Sequence, residues 1–231
     1  MAGIEDRLGS RNGISPDMLT PRVDTTLKET TFDGITYTCP TWEQMRQFNL
    51  DLVKQILQSG PSFDRVIALS RGGLTWSRTF ADGLRVPEIS TIRIRTYEGI
   101  GQVGKPIITQ PLRDKIKGET VIVLDEVTET GVTLAVAIPH IKRRRPKEMR
   151  TATFCYKPDS NQSSVIPDYH AFQANSWVIF PHEIRETIDE LTAKWAKPTE
   201  ERAGLSIKEI KERFLTIGLP TDEVDYYLNK I

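Results

Sequence analysis

Two rhythms of apolar and polar positions run through the chain. The first is a set of short runs. Residues 65–69, Arg-Val-Ile-Ala-Leu, and 121–124, Val-Ile-Val-Leu, are too short for helices and mostly β-branched, the pattern of strands buried on both faces. Residues 89–97 alternate instead, with Ile92 and Ile94 set against Arg93 and Arg95, which predicts a further strand. Another covers residues 151–156. Residues 31–39 alternate more loosely through Phe32, Ile35 and Tyr37 around Asp33-Gly34, a hairpin signal.

The second rhythm is helical. Met45, Phe48, Leu52 and Ile56 share one face, with Thr41 and Gln44 placed as a capping box and Ser59-Gly60-Pro61 as the stop. Residues 74–84 and 134–141 predict helices directly behind the two buried runs. From His182 onward the pattern is helical throughout. Ile184, Ile188, Leu191 and Trp195 mark one face, which Lys197-Pro198 breaks. Ser206 caps a second helix carrying Ile207, Ile210, Phe214 and Leu215, ended by Gly218; Pro220-Thr221 starts a third, with Val224, Tyr227 and Leu228. Repeated strand–turn–helix units predict an α/β fold, a mainly parallel twisted sheet flanked by helices, with a C-terminal three-helix appendage. The division expected is a mobile arm over residues 1–30, a main domain over 31–181 and the helical appendage over 182–231.

Composition narrows the partners. The chain has 231 residues, with Lys+Arg and Asp+Glu balanced at 31 each, so the overall charge points to no nucleic acid. The basic run at 142–147 falls in a helix's last turn, where cations complement the dipole. Cys39 and Cys155 lack metal-ligand spacing and read as two reduced thiols, and His140, His170 and His182 form no ligand cluster. No apolar run has membrane length and no signal peptide opens the chain, so a soluble cytoplasmic protein with no membrane partner is expected.

The chemistry concentrates at residues 121–134. Asp125 and Glu126 follow the buried run at once. A small, hydroxylated turn comes next, Thr128-Glu129-Thr130-Gly131-Val132-Thr133, and then a helix. Backbone N–H groups, hydroxyls and a helix N-terminus suit a phosphate. Carboxylates repel a phosphate, so they need another task, and gripping a diol is the natural one. A phosphorylated sugar fits both halves. Ser70-Arg71-Gly72-Gly73 forms a second anion-friendly turn behind the 65–69 run. Gly99, Gly101 and Gly104 match the dinucleotide fingerprint literally, but Lys105-Pro106 and Pro111 follow where that fingerprint needs a helix.

The 121–134 stretch resembles the phosphoribosyl pyrophosphate motif of the type I phosphoribosyltransferases. It departs in carrying Glu126 and Glu129 where aspartates are usual. Ser70-Arg71-Gly72-Gly73 is similar to that family's pyrophosphate loop, where a non-proline cis peptide is common, and residues 97–111 resemble its mobile flap. Lys157-Pro158, Pro167-Asp168-Tyr169 and Trp177-Val178 with Phe180-Pro181 resemble the nucleobase hood of the 6-oxopurine enzymes, xanthine–guanine ones especially. The helical tail is similar to that of crenarchaeal adenine phosphoribosyltransferases.

The resemblance implies an enzyme of purine salvage that transfers a 5-phosphoribosyl group from phosphoribosyl pyrophosphate to N9 of a 6-oxopurine (hypoxanthine, guanine or xanthine), releasing pyrophosphate. Asp125, Glu126, Glu129 and Arg71 would be catalytic. Phosphoribosyl pyrophosphate would bind at Ser70, Arg71, Gly72, Gly73, Asp125, Glu126, Thr128, Glu129, Thr130, Gly131, Val132 and Thr133. Lys157, Trp177 and Val178 would hold the base, and Mg2+ would sit at Asp125 and Glu126, directly or through water. A homodimer is the family expectation. Two alternatives stay open: adenine as the base, and a non-catalytic regulator that binds phosphoribosyl pyrophosphate on the same fold.

Overall fold

The structure, a computed structural model, describes residues 23–99, 102–160, 165–198 and 203–230. Most of the expected arm, residues 1–22, therefore lies outside the described residues, as do positions 100 and 101 of the expected flap.

A six-stranded sheet forms the centre. Its strands are β3 (Arg65–Ser70), β4 (Glu88–Gly99), β5 (Gln102–Gln110), β6 (Thr120–Thr128), β7 (Glu148–Tyr156) and β8 (Tyr169–Gln173), in the order β5-β4-β3-β6-β7-β8. All neighbours are parallel except β4 and β5. Residues 102–110, expected within a flap, are thus an edge strand in an antiparallel ribbon. Pro106 is tolerated there because an edge position has no ladder bond to lose on its outer side.

The pleat explains why the central runs are apolar without alternation. Along β6, Ile122 and Leu124 pack into one core with α1 (Trp42–Ser59) and α2 (Gly72–Leu84). Val121 and Val123 pack on the opposite face with Leu134, Ala137 and Ile141 of α3 (Val132–Lys142). With both faces covered, each residue of the run must be apolar. The predicted capping box is present on α1, with Gln44 N donating to Thr41 Oγ1 and Thr41 N to Gln44 Oε1.

A second, three-stranded sheet forms the hood. β1 (Glu29–Phe32) and β2 (Ile35–Thr38) make the hairpin, and β9 (Trp177–Val178) runs parallel to β2. The tail contributes α4 (Ile184–Trp195), α5 (Ile207–Ile217) and α6 (Thr221–Leu228). Hood and tail share one core: Tyr37 and Ile179 pack with Ile188, Leu191, Trp195, Phe214 and Val224. Trp195 is fully buried, with Phe32 and Tyr37 edge-on to it at centroid distances of 6.3 and 6.1 Å.

Candidate active site

Parallel strands deliver β3, β6 and β7 to one edge of the sheet, and the turns that follow them converge there. The Ser70–Arg71 peptide is cis, as the resemblance implies. Behind it the turn is pressed against β6. A Cβ at Gly73 would lie 2.3 Å from the Leu124 carbonyl oxygen, and one at Gly72 2.6 Å from Glu126 Oε2. Both positions admit only glycine without displacement of a neighbour. Gly131 starts α3 in the left-handed region, at φ 73°, which again favours glycine.

α1 and α5 carry full capping boxes. α2 and α3, whose N-termini face the convergent turns, have no side-chain cap, and neither do α4 and α6. The first-turn N–H groups of α2 and α3 are left to an external acceptor. Asp125, Thr128, Glu129, Thr130, Gly131, Val132 and Thr133 line a cavity of about 190 Å³ at the α3 start. Thr128, at the end of β6, is buried and its hydroxyl has no hydrogen-bond partner.

Two carboxylates stand at the junction. Desolvation pushes the Asp125 carboxyl up to about 7, against the backbone N–H of Glu126, which donates to its Oδ1 at 2.9 Å. Glu126 is only 3% exposed. His182 Nε2 lies 2.8 Å from Glu126 Oε1, at ion-pair length though short of the alignment a hydrogen bond needs. Burial opposes protonation of His182, but Glu126 and Glu183 outweigh it and the net shift is upward. Trp42, Trp76 and Phe180 surround the imidazole, with centroids at 6.3, 5.9 and 6.0 Å. Burial, reinforced by Glu126, pushes the Glu183 carboxyl up to about 7. Glu126, His182 and Glu183 offer ligand atoms within 4.8 Å of one another. Two carboxyl groups and an imidazole this close form a donor set that suits a divalent cation.

A larger cavity of about 630 Å³ opens beside them, under the hood. Glu126, Glu129, Lys157, Asn175, Trp177, Val178 and Glu183 line it, and the β1–β2 turn closes it through Gly34, Ile35 and Thr36. Lys157 is 7% exposed and donates from Nζ to Glu129 Oε1 at 3.2 Å. Trp177 stays 38% exposed, open to the cavity, and Val178 is buried beside it. The three residues expected to hold a base therefore line one cavity.

The Arg71 side chain is ion-paired with Glu186 on the first turn of α4. Sequence reasoning gave no role to His182, Glu183 or Glu186, nor to the hairpin turn. His182 was set aside because no other histidine or cysteine stands near it in the chain. Its partners are acids, one of them on a strand far upstream. A titratable pair directly behind Phe180-Pro181 was the available signal.

Comparison with known proteins bears on the fold and the family. Residues 42–186 match the family described as Phosphoribosyl transferase domain. A xanthine-guanine phosphoribosyltransferase from Nitratidesulfovibrio vulgaris is 26% identical over 141 residues, 61% of this chain and 81% of that protein. The crystal structure of a purine phosphoribosyltransferase from Pyrococcus horikoshii superposes with a TM-score of 0.56 at 31% identity, covering 63% of this chain and 93% of the other. A Helicobacter pylori xanthine-guanine-hypoxanthine phosphoribosyltransferase shares the fold, with a TM-score of 0.55 at 21% identity over 68% of this chain and 99% of that one.

Proposed function

The chain belongs to the phosphoribosyltransferase family, and on that premise we propose that it transfers the 5-phosphoribosyl group of phosphoribosyl pyrophosphate to N9 of a 6-oxopurine: hypoxanthine, guanine or xanthine. The pair formed by Lys157 and Glu129 carries the choice of base. An ammonium has donors only, and a carboxylate acceptors only. Set 3.2 Å apart, they complement an oxygen acceptor and a neighbouring N–H on one edge of a ring, which are O6 and N7–H of an oxopurine. Adenine would set an amino donor against the ammonium. Trp177 stacks on any purine and makes no such distinction.

The reaction breaks the bond from the sugar C1 to pyrophosphate and forms the bond from C1 to N9. The purine's surplus proton leaves from the N7 side, where Glu129 accepts it. As pyrophosphate departs, positive charge grows on the sugar ring, and Asp125 and Glu126 face it while holding the ribose hydroxyls. Thr128, Thr130, Gly131, Val132 and Thr133 hold the 5-phosphate with the uncapped start of α3. Ser70, Arg71, Gly72 and Gly73 take the pyrophosphate. Asp125 and Glu126 would hold Mg2+, which when bound neutralises the leaving group. The setting of this reading is nucleotide salvage in the cytoplasm by a homodimer. Among the described residues no helix is long and apolar enough to cross a membrane.

The test is an assay of the full chain with phosphoribosyl pyrophosphate and Mg2+ against hypoxanthine, guanine, xanthine and adenine. An oxopurine should give the highest kcat/KM. Lys157→Ala should lower that value by about 10- to 150-fold, the worth of a charge-assisted hydrogen bond, and leave adenine nearly unaffected. A parent enzyme that prefers adenine removes Lys157 as the reader of position 6.

A further inference from the structure

Arg71 and Glu186 are joined across two closely packed parts of the molecule. On one side the Ser70–Gly73 turn is seated on β6, with no room for even a methyl group at Gly72 or Gly73. On the other, α4 is fixed in the hood–tail core through Ile184, Ile188, Leu191 and Trp195. The two side chains themselves are open, at 65% and 43% exposure. An exposed ion pair of this kind is weak and exchanges readily for another partner. The carboxylate is not stranded when the pair opens, because Arg185 Nη2 lies 3.8 Å from the same Glu186 oxygen.

We propose, on the premise that Arg71 serves the pyrophosphate group, that Glu186 is a positioning residue that competes with the ligand for the Arg71 guanidinium. In the empty site the guanidinium is held by Glu186. An incoming pyrophosphate group takes it by a side-chain swing, with the backbone of the turn unmoved. When pyrophosphate leaves, Glu186 recaptures Arg71, so the reverse swing hastens release. The competition lowers affinity for pyrophosphate on donor and product alike. It also gives the C-terminal helices a direct hold on the leaving-group site.

Calorimetric titration of the full chain with inorganic pyrophosphate and Mg2+ tests this. Glu186→Gln should bind pyrophosphate about two- to fivefold tighter than the parent, the range an exposed pair can contribute. The KM for phosphoribosyl pyrophosphate should fall in step. In an Arg71→Ala background the same Glu186→Gln change should alter neither quantity, an outcome that a general structural role for Glu186 does not produce. Unchanged or weaker binding in Glu186→Gln, with the parent binding normally, overturns the competition alone. So does an effect that persists without Arg71. A parent chain that binds no pyrophosphate overturns the reading of the turn itself, and the competition falls with it.

Discussion

Glu126 shows how much a single position can be asked to carry. Its carboxylate is buried, backed by Gly72 on one side and met by His182 on the other. A carboxylate taken out of water needs a positive partner or a ligand. Asp125, next to it, is desolvated as well. Replacing the two together by Asn and Gln keeps their size and removes their charge. The fold should survive, as read by circular dichroism, while kcat/KM falls about a thousandfold, some 4 kcal/mol of transition-state stabilisation. Near-normal turnover would take the pair out of the chemistry. These acids were legible because they follow a buried run with nothing between. Lys157 and Trp177 were legible only through the family resemblance. His182 was not legible, since what gives it meaning is a contact with Glu126, and one-dimensional spacing does not carry that contact.

At the scale of elements, the boundary between β3 and α2 bears the site. The helix packs so closely on β6 that Gly73 meets the Leu124 carbonyl oxygen. Gly73→Ala should force the helix off the strand, with a loss of about 1–3 kcal/mol in urea unfolding and a disproportionate loss of activity. An unchanged midpoint would mean that the packing yields more easily than the geometry implies. The sequence placed both strand–turn–helix units within two residues at most of their observed helix starts, because buried strands and glycine turns are strong local signals. The 97–111 stretch, expected as a mobile flap with no packed helix, is a β-ribbon, with Arg95 in register with Ile107 and Glu98 with Val103. Its strand character is what the sequence did not carry. Pairing with a neighbour overrides local propensity in a strand more readily than in a helix.

For the whole molecule the significant fact is that hood and tail have one core between them. The change from mixed to helical patterning at 181–182 marked a boundary in the chain. It could not mark how the two sides pack. Trp195 sits where they meet, in contact with Phe32, Tyr37 and Phe214. Trp195→Ala should cost about 3–5 kcal/mol in unfolding free energy, as large-to-small changes in a core do. It should also raise the KM for the base, because the hairpin turn that closes the cavity proposed for the base rests on this core. Lost stability with an unchanged KM would show that the hairpin holds its place without the tail.

The shared core also sets an order of events during synthesis. The hairpin leaves the ribosome before the sheet that it will cover. Its partners come much later: β9 lies about 140 positions downstream, and the Arg213 that binds Asp33 follows it by 180. At the usual pace of translation the hairpin waits on the order of ten seconds or more for them. The sheet and the turns behind β3 and β6 can assemble in that interval. The hairpin over the larger cavity is made before the sheet and secured after it, so a nascent chain stopped short of α5 carries the turns behind β3 and β6 without a finished cavity beside them.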